Sequence, residues 1–308
     1  MKLATIIVTY NGSQWIEKCL NSLIQSYTFE HQIIIVDNAS TDDTIFLLEK
    51  YEEKIILFES KKNLGFGQAN NKGINIALDN SCDYFFLLNQ DTWINLDTLP
   101  LLLKCAEKNP QYGIVSPIHM NGTSDHFDHG FETHISKGKK ISPLLYDLLE
   151  KNALQSIYEV DFVNAAAWLI SKKCLEKVGG FNPLFFHYAE DDDYVNRLHF
   201  HQFKIGIHPF TKIYHDRTPK TTKSDQVIYL WRMFMVECTN INTPLKPIFS
   251  QYLKTFISSS LKCLLKFRLM CFYQYAKCFF KAILSFSQLK KNRAINQNDD
   301  RKSYLYIN

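Results

Sequence analysis

The chain has 308 residues, 46% of them hydrophobic and 21% charged, which is the composition of a globular protein with one large domain and an appendage. Its net charge of +4 is unevenly distributed, because ten Lys and Arg residues and no acid lie between Glu237 and Asp299. The mildly acidic body argues against a nucleic-acid-binding protein, and no run approaches the ~18 uncharged apolar residues of a membrane span.

The eight cysteines are scattered and contain no C-x-x-C pair, so we expect a reduced, cytoplasmic protein without a structural zinc site. The N-terminus opens directly into a predicted strand and lacks the charged region and the longer apolar run of a secretory signal. The sequence therefore predicts neither secretion nor a membrane-spanning protein.

The first hundred residues alternate between predicted strands and predicted helices. Short apolar runs predict strands buried on both faces, over residues 4–8, 33–36, 55–58 and 84–88. Helices are predicted over residues 13–26, with Ser13 as the N-cap, and over residues 45–52, 68–79 and 96–109. This alternation predicts an α/β fold in which helices flank a mainly parallel central sheet.

The second half of the chain is less regular. Strands are predicted over residues 113–116, 160–170, 204–207 and 212–214, and helices over residues 171–178 and 193–201. Between residues 117 and 158 the pattern weakens, and one helix is expected near residues 143–151. This segment contains Asp128 and four histidines, His119, His126, His129 and His134. Their irregular spacing favours a mobile acceptor-binding lid over a metal site.

Polar residues follow each of the first four predicted strands. In open parallel sheets, ligands bind beyond the carboxyl ends of the strands. We therefore expect these strand ends to form one crevice that binds a nucleotide. The residues are Thr9, Tyr10 and Asn11 after the first strand, Asp37 after the second, residues 63–67 after the third and Asp91 after the fourth.

Seven segments carry a family resemblance: IIVTYNG (6–12), IIIVDNASTDDT (33–44), NLGFGQANNKGI (63–74), FLLNQDT (86–92), DFVNAAAWLI (161–170), VGGFNPLFFHYAEDDDYVNRLHFHQF (178–203) and IYHD (213–216). In this order they resemble the inverting glycosyltransferase family 2, which has the GT-A fold, and most closely its bacterial rhamnosyltransferase-like branch. The resemblance implies transfer of rhamnose or a hexose from a UDP- or dTDP-sugar donor to a glycan or lipid-linked acceptor in surface polysaccharide synthesis.

On the donor side, the resemblance implies that Asp37 contacts the base and that Thr9, Tyr10 and Asn11 line the nucleotide pocket. A carboxylate at a strand end can accept the N–H of a pyrimidine ring, which would select the base. The alternative is that Asp37 is only a loop or helix-start residue. Its position at a strand end favours binding.

The segment 63–74 contains three further candidates for the donor site, Asn63, Gly65 and Asn70. Glycine permits close backbone approach, and amides at a helix start suit a phosphate or a ribose. The alternative is an ordinary turn, which uses the same residue types. Asn89 joins the donor site because it occupies the first position of the family's metal-binding aspartate motif.

Asp91 takes the place of the metal-binding aspartate in that motif, and His215 matches a late histidine that completes the metal shell. The resemblance thus implies a divalent metal, Mg²⁺ or Mn²⁺, between the protein and the donor phosphates. Since Asn89 replaces the first carboxylate of the motif, one anionic ligand is missing. The alternative for His215 is a structural hydrogen-bonding residue.

Asp191 matches the catalytic base of the family, a carboxylate that removes the proton of the acceptor hydroxyl. The alternative is that residues 190–193 are simply an acidic helix N-terminus. Four adjacent acids exceed what capping needs, so we assign Asp191 to catalysis and Glu190 to the acceptor. Trp168 is a second acceptor candidate because it could stack on a sugar, although its apolar surroundings favour a core position.

Residues 1–240 are predicted to form the catalytic domain, and residues 241–308 a helical, basic and aromatic extension. Lysines on one face and bulky apolar residues on the other are typical of an interfacial helix or hairpin, here on an anionic surface at the inner face of the cytoplasmic membrane. The alternative is a helix packed on the catalytic domain with solvated lysines. The lysines of this face are Lys254, Lys262, Lys266, Lys277 and Lys281.

Two other functions are considered. A non-catalytic nucleotide-binding relative would tolerate the loss of Asp191, but Asp91 and Asp191 are both present. A sugar nucleotidyltransferase would begin with a glycine-rich basic phosphate loop, which residues 9–13 do not resemble.

Overall fold

The computed structural model describes residues 1–26, 30–136, 142–217, 226–298 and 303–305. Within these ranges nine strands form one sheet. The strands are β1 Leu3–Thr9, β2 His31–Asp37, β3 Ile56–Glu59, β4 Tyr84–Asn89, β5 Thr92–Ile94, β6 Tyr112–Asn121, β7 Tyr158–Val160, β8 Ala167–Ser171 and β9 Lys204–His215. The helices are α1 Ile16–Gln25, α2 Thr44–Glu49, α3 Phe66–Asp79, α4 Thr98–Lys108, α5 His129–Ile135, α6 Pro143–Leu149, α7 Lys172–Val178, α8 Glu190–Phe200, α9 Gln226–Thr239, α10 Leu245–Leu265 and α11 Leu269–Asn296.

The strand order is β3-β2-β1-β4-β8-β6-β9-β5, and β7 pairs with β9. β1 is parallel to β2 and to β4, and β2 is parallel to β3. The predicted parallel arrangement therefore holds for the first half of the sheet. The register places Thr9 beside Asp37 and Val8 beside Asn89, so the polar strand ends lie along one edge.

The second half of the sheet is mixed, because β8 runs antiparallel to both β4 and β6. The prediction of one strand over residues 160–170 was wrong, since β7 and β8 are separated by residues 161–166. The two strands predicted over residues 204–207 and 212–214 are one strand, β9. Its register against β6 shifts between the pairs Pro117↔His208 and Ile118↔Lys212, around Pro209, which has no N–H to donate to a ladder.

Two helices begin elsewhere than predicted. α1 begins at Ile16, and Trp15 is its N-cap with no side-chain cap bond, whereas the N–H of Ser13 donates to Asp42 Oδ2 at 3.1 Å. α8 begins at Glu190 rather than at residue 193, so all four acids lie in its first turn. Negative charge is favoured there because the helix dipole is positive at this end.

The irregular segment 117–158 contains more structure than predicted. β6 continues to Asn121, α6 occupies the predicted helical region, and α5 was not predicted. α5 begins after Asp128, whose carboxylate accepts the N–H groups of Gly130 and Phe131 at 2.9 and 3.1 Å. The mobile lid predicted for this segment stays a prediction, and its residues 137–141 lie outside the described residues.

Apolar cores cover both faces of the sheet. The neighbouring residues Phe85 and Phe86 of β4 belong to different cores, as alternation along a strand requires. One core includes Ile74 of α3, and the other includes Leu20 of α1 and Leu102 of α4. The predicted α/β architecture, a central sheet flanked by helices, is thus confirmed.

The last three helices share a separate aromatic core. Phe234 of α9 lies 5.8 Å from Phe249 and 5.7 Å from Phe256 of α10, measured between ring centroids. The division of the chain at residue 240 stays a prediction. α9 precedes that residue, although it shares its core with α10 and α11. Across the described ranges, no helix has both the length and the apolar character needed to cross a bilayer.

Candidate functional site

The carboxyl ends of β1 and β2 are joined through Asp37. This side chain is only 2% exposed, and its Oδ1 accepts the hydroxyl of Thr9 at 2.9 Å. Ser40 completes the arrangement, because its N–H donates to Asp37 Oδ2 at 2.9 Å and its hydroxyl donates to Oδ1 at 2.5 Å. The carboxylate is therefore held in one orientation at the edge where the nucleotide base is expected to bind.

Tyr10 and Asn11 continue from β1 along the same edge. The N–H of Tyr10 donates to Gln90 Oε1 at 2.9 Å, and Gln90 Nε2 donates to the carbonyl of Tyr10 at 3.2 Å. Asn11 Oδ1 accepts the N–H of Thr41 at 2.8 Å. The ring of Tyr10 is 47% exposed, so it is accessible to a flat ligand beside the strand ends.

The loop after β3 is fixed by an asparagine that the sequence analysis did not single out. Asn38 Nδ2 donates to Asn63 Oδ1 at 2.9 Å, and Asn38 Oδ1 accepts the N–H of Leu64 at 2.7 Å. Asn63 Oδ1 also accepts the N–H of Gly65 at 2.8 Å. The only sequence signal for Asn38 was its position directly after Asp37.

Gly65 brings this loop against the segment that precedes Asp191. Its φ is +79°, and a Cβ at this position would collide with the carbonyl oxygen of Phe186. That carbonyl accepts the N–H of Phe66 at 3.2 Å. Glycine is required here for both reasons, because it tolerates the left-handed backbone and permits the close approach.

Two asparagines of α3 differ in what they do. Asn70, predicted to bind the donor, uses its Nδ2 to donate to the carbonyl of Phe66 at 3.0 Å within α3. Asn71 holds the segment before Asp191, since its Nδ2 and Oδ1 bond the carbonyl and the N–H of Phe181 at 2.8 and 2.7 Å. Asn71 was missed because its partner is far away in sequence.

The end of β4 presents an unsatisfied polar atom. Asn89 Oδ1 is buried and has no hydrogen-bond partner, whereas the backbone N–H of Asn89 donates to the carbonyl of Ala166 at 3.0 Å. Buried polar groups without a partner are rare and costly. A ligand that donates a hydrogen bond would satisfy this oxygen.

Asp91 and His215 meet through the pairing of β5 with β9, which places Thr92 beside His215. His215 Nε2 lies 3.2 Å from Asp91 Oδ1, and His215 Nδ1 lies 3.3 Å from Asp128 Oδ2. Both ring nitrogens are buried, and each faces a carboxylate oxygen. The imidazole therefore lies between two carboxylates, one of them from the segment expected to form a lid.

These carboxylates control the charge of His215. Burial lowers the pKa of His215, but contact with Asp128 and Asp91 more than offsets burial and raises it to about 9. The neighbouring His119 is fully buried, and burial together with the positive charge of His215 lowers its pKa to about 3. A positive imidazolium here faces a neutral imidazole and two anions.

The pair of Asp91 and His215 can supply part of a metal shell. Within the described ranges, no group of three or more His, Cys, Asp or Glu side chains is placed to hold a metal ion. A pair suffices where substrate phosphates and water complete the shell, as is usual for Mg²⁺. The buried Nε2 of His215 beside Asp91 fits such an ion, and Asp128 stands where a carboxylate orients a ligand histidine.

Asp191 lies in the first turn of α8, and the chain enters that helix through a left-handed turn. Tyr188 and Ala189 have φ values of +67° and +75°, which are unfavourable for residues other than glycine. Such strain is concentrated at functional sites, where it fixes the direction of a side chain. The turn aims the first residues of α8 back toward the sheet edge.

Asp191 and Asn89 contact adjacent residues of one segment. The backbone N–H of Ala165 hydrogen-bonds the Asp191 carboxylate, and the carbonyl of Ala166 accepts the N–H of Asn89. Asp191 is therefore placed near the end of β4, and its role as the catalytic base stays a prediction. Burial raises the pKa of Asp191, which makes it a better proton acceptor than an exposed aspartate.

Glu190 is more deeply buried than Asp191. It is 6% exposed, and its Oε2 has no hydrogen-bond partner. Burial, followed by the negative charge of Asp191, raises the pKa of Glu190 to about 8, so it is protonated at neutral pH. Its assignment to the acceptor stays a prediction.

Two further side chains, one of them the acceptor candidate Trp168, are structural. Trp168 is fully buried, donates through Nε1 to the carbonyl of Val163 at 3.1 Å and packs against Phe181, so it cannot stack on an acceptor sugar. Asp193 is also buried and accepts from Arg197 Nε at 2.8 Å. Arg197 in turn donates to the carbonyls of Val178 and Gly180, which secures the turn before Phe181.

Comparison with known proteins identifies the family. The sequence model of glycosyl transferase family 2 matches residues 5–179, which leaves Asp191 and His215 beyond the matched region. A poly(ribitol-phosphate) β-N-acetylglucosaminyltransferase, TarS of Staphylococcus aureus (strain Mu50), is 35% identical over 102 residues, which are 32% of this chain and 18% of TarS. The chain thus spans less than a fifth of that curated relative.

A second relative extends further along the chain. The N-acetylglucosaminyl-diphospho-decaprenol L-rhamnosyltransferase of Mycobacterium tuberculosis (strain CDC 1551) is 23% identical over 214 residues, which cover 64% of this chain and 70% of the relative. The sequence resemblance to family 2 and to a rhamnosyltransferase is confirmed.

The fold is also found among solved structures. The crystal structure of S. aureus TarS 1–349 in complex with UDP superposes with a TM-score of 0.58 and 15% identity, over 96% of this chain and 90% of that one. The expected GT-A fold is therefore confirmed.

Proposed function

The chain belongs to glycosyl transferase family 2, and on that basis we propose that it transfers a sugar from a nucleoside-diphosphate sugar to a hydroxyl group with inversion at the anomeric carbon. One observation supports this most directly. Asp191, a half-buried carboxylate with a raised pKa, lies beside the strand edge that carries Asp37 and Asp91. A base on one side of a donor crevice is what a single displacement requires.

Asp191 acts as the general base in this proposal. Its carboxylate takes the proton of the acceptor hydroxyl as that oxygen attacks the anomeric carbon, opposite the departing diphosphate. The N–H groups of Ala165 and Asp192 bond the carboxylate and hold it toward the crevice. The protonated Glu190 next to it carries no charge that would oppose ionisation of Asp191.

The donor base binds beside Asp37, and the ribose and phosphates lie between the loop of Asn63 and Gly65 and the end of β4. Asn89 Oδ1, which has no hydrogen-bond partner among the described residues, can accept a hydrogen bond from a hydroxyl group of the sugar nucleotide. The complex of TarS with UDP favours a uridine nucleotide, and dTDP presents the same pyrimidine N–H to Asp37.

Asp91 and His215 would hold a divalent ion, Mg²⁺ or Mn²⁺. When bound, such an ion neutralises the charge that builds on the departing diphosphate. His215 must lose its proton to ligate, and Asp128 keeps the ring oriented from the other side.

The transferred sugar is rhamnose or a hexose, and the acceptor is a glycan or a lipid-linked saccharide used for a surface polysaccharide. The names of the two relatives support this setting, because one acts on poly(ribitol phosphate) and the other on a decaprenol diphosphate sugar. Rhamnose appears in the name of the relative that this chain matches over 70% of the relative's length.

A donor screen tests the proposal. Release of nucleoside diphosphate from UDP- and dTDP-sugars would be measured with a polyprenyl-diphosphate saccharide acceptor, with Mg²⁺, with Mn²⁺ and with a chelator. Asp191→Asn should lower the rate about 100-fold or more, because general-base catalysis is lost, while the fold is retained. The rate should also fall as the pH drops through the raised pKa of Asp191, since the protonated form is inactive.

Asp192→Asn is the matched control, because Asp192 is the exposed neighbour of Asp191 on the same helix turn. It should retain most of the activity. Parent-level transfer by Asp191→Asn would refute its role as the base, and parent-level transfer by Asp91→Asn in Mg²⁺ would refute the metal pair.

A further inference from the structure

We propose that the turn between α10 and α11 docks the enzyme on an anionic lipid surface by inserting its apolar side chains. The hairpin tip, residues 261–270, exposes nearly every side chain, since only Cys263 is partly covered. Phe267 is 91% exposed, Leu265 80% and Met270 73%. Single exposed apolar residues are normal, but a contiguous set of this kind marks an interaction surface.

The hairpin tip is a defined turn. Behind it the two helices close on each other, since Cys263 Sγ lies 2.8 Å from Cys271 Sγ. Phe267 has a φ of +54° and an N–H that donates to the carbonyl of Leu264 at 2.9 Å. The apolar side chains are therefore displayed by a fixed backbone.

The charges around the hairpin tip are all positive. Lys262, Lys266 and Arg268 are exposed among the apolar residues, and no acid occurs between Glu237 and Asp299. Bulky apolar groups surrounded by Lys and Arg match the interface of an anionic bilayer, where the apolar groups enter the acyl boundary and the cations meet the headgroups. A second copy of the chain is a poor partner for this surface, because two basic tips repel.

The stripe of exposed apolar residues continues along both helices away from the hairpin tip. Ile257 lies on α10 one helical turn before Leu261 of the tip, and Tyr273, Phe280 and Leu284 lie on α11 at spacings of seven and four residues. Not all of the lysines predicted to form one basic face lie beside this apolar stripe. Lys281 Nζ lies 4.3 Å from the ring centroid of Trp231 and packs on α9 instead.

The opposite end of the hairpin is attached to the sheet domain. Asn292 of α11 exchanges reciprocal side-chain bonds of 3.0 Å with Asn182, and His201 Nε2 lies 3.0 Å from the carbonyl of Asn296. The two readings of the tail are therefore compatible, because its base packs on the catalytic domain and its tip is free. Docking by the tip would keep the catalytic domain next to a lipid-linked acceptor.

Vesicle flotation with the full chain tests the proposal without donor or acceptor, so its outcome is independent of transferase activity. The parent should float with vesicles of equal phosphatidylglycerol and phosphatidylcholine, and should bind phosphatidylcholine alone about tenfold more weakly or less. Phe267→Asn, which suits the left-handed backbone, combined with Leu265→Ser should weaken binding to the anionic vesicles about tenfold or more. Leu149→Ser is the control, since Leu149 is an exposed leucine at the end of α6.

Two results would overturn the proposal. One is a parent chain that does not float with anionic vesicles, or a double variant that floats as well as the parent. The other is sedimentation velocity showing a dimer that the double variant abolishes, because the hairpin tip would then be covered by a second copy. Retained melting temperature in the double variant shows that lost flotation is not lost folding.

Discussion

Glu190 and Asp191 are adjacent acids at the start of α8, and their surroundings separate their properties. Glu190 is buried with an unpaired Oε2 and a pKa raised to about 8. Burial also raises the pKa of Asp191, but Asp191 receives backbone N–H groups that partly offset this rise by favouring its charged form. Environments that push two carboxyl groups apart are a common way to assign acid and base roles.

The raised pKa of Glu190 predicts a pH-dependent effect on stability. The native state holds the proton of Glu190 more tightly than the unfolded chain does, so this group favours folding fully below pH 4.5 and loses that effect as the pH rises to about 8. Glu190→Gln removes the titration. The free energy of unfolding of the variant minus that of the parent should be larger at pH 8.5 than at pH 5 by roughly 3 kcal/mol. Urea unfolding of both proteins at both pH values measures this difference.

Asp192→Asn, at an exposed position, should show no such pH-dependent difference. The contrary result is a difference in free energy of unfolding between Glu190→Gln and the parent that is the same at both pH values. It would mean that Glu190 is ionised in the folded protein.

Individual residues were predictable where they follow a strand or begin a helix. Asp37 ends one strand of the parallel part of the sheet and Asp91 follows another, as the order of motifs implied, and Asp191 lies in the first turn of α8. Asp128 was assigned to a lid and Asn71 was not singled out, since each is defined by a partner far away in sequence, His215 and Phe181. A pattern read along the chain contains no information about such pairs.

At the scale of elements, the loop after β3 and the segment before α8 touch through Gly65 and Phe186. The first belongs to the proposed donor side and the second leads to the proposed base. Donor binding at the loop can therefore affect the position of Asp191 through one backbone contact.

Gly65→Ala should disrupt this contact. The variant needs a left-handed backbone for alanine and collides with a carbonyl, so it should lose roughly 2 kcal/mol of stability or more, and donor affinity measured by calorimetry should fall. Gly12→Ala offers a comparison, because its new methyl would meet only the flexible end of the Gln90 side chain. Equal stability of the two variants would show that the backbone contact with Phe186 is not retained in solution.

The early elements were predictable because apolar runs and short connections define them locally. The insertion of β8 antiparallel to β4, and the continuity of β9 across Pro209, were not. Strand direction and register depend on the partner strand, which the sequence of one segment does not specify. The start of α8 was placed three residues late because its N-cap, Ala189, has no side chain that marks a helix start.

At the scale of the whole molecule, a buried polar network joins the tail to the sheet domain. Asn292 Nδ2 donates to Asn182 Oδ1 and to the hydroxyl of Tyr304, which donates to Asn296 Oδ1 at 2.5 Å. The same Asn182 bonds the structural carboxylate of Asp193 at 3.1 Å. α8 and α11 are thus linked through buried side chains.

Replacing Asn292 should destabilise both parts together. Asn292→Leu removes the buried hydrogen bonds of Asn292 to Asn182 and Tyr304, which should cost about 1–3 kcal/mol in urea unfolding. Lys291→Ala, at the exposed adjacent position, should change stability by less than about 0.5 kcal/mol. If Asn292→Leu unfolded in the same single transition as the parent, at the same urea concentration, the network would not join the two parts.

The pairing of β5 with β9 makes the order of synthesis matter. A nascent chain that has left the ribosome as far as residue 203 already contains Asp91 and Asp191, but it lacks β9. Among the described residues β5 pairs only with β9, so in such a chain β5 has no strand partner and Asp91 has no imidazole beside it. Asp91 therefore gains its imidazole neighbour only after residue 215 has left the ribosome.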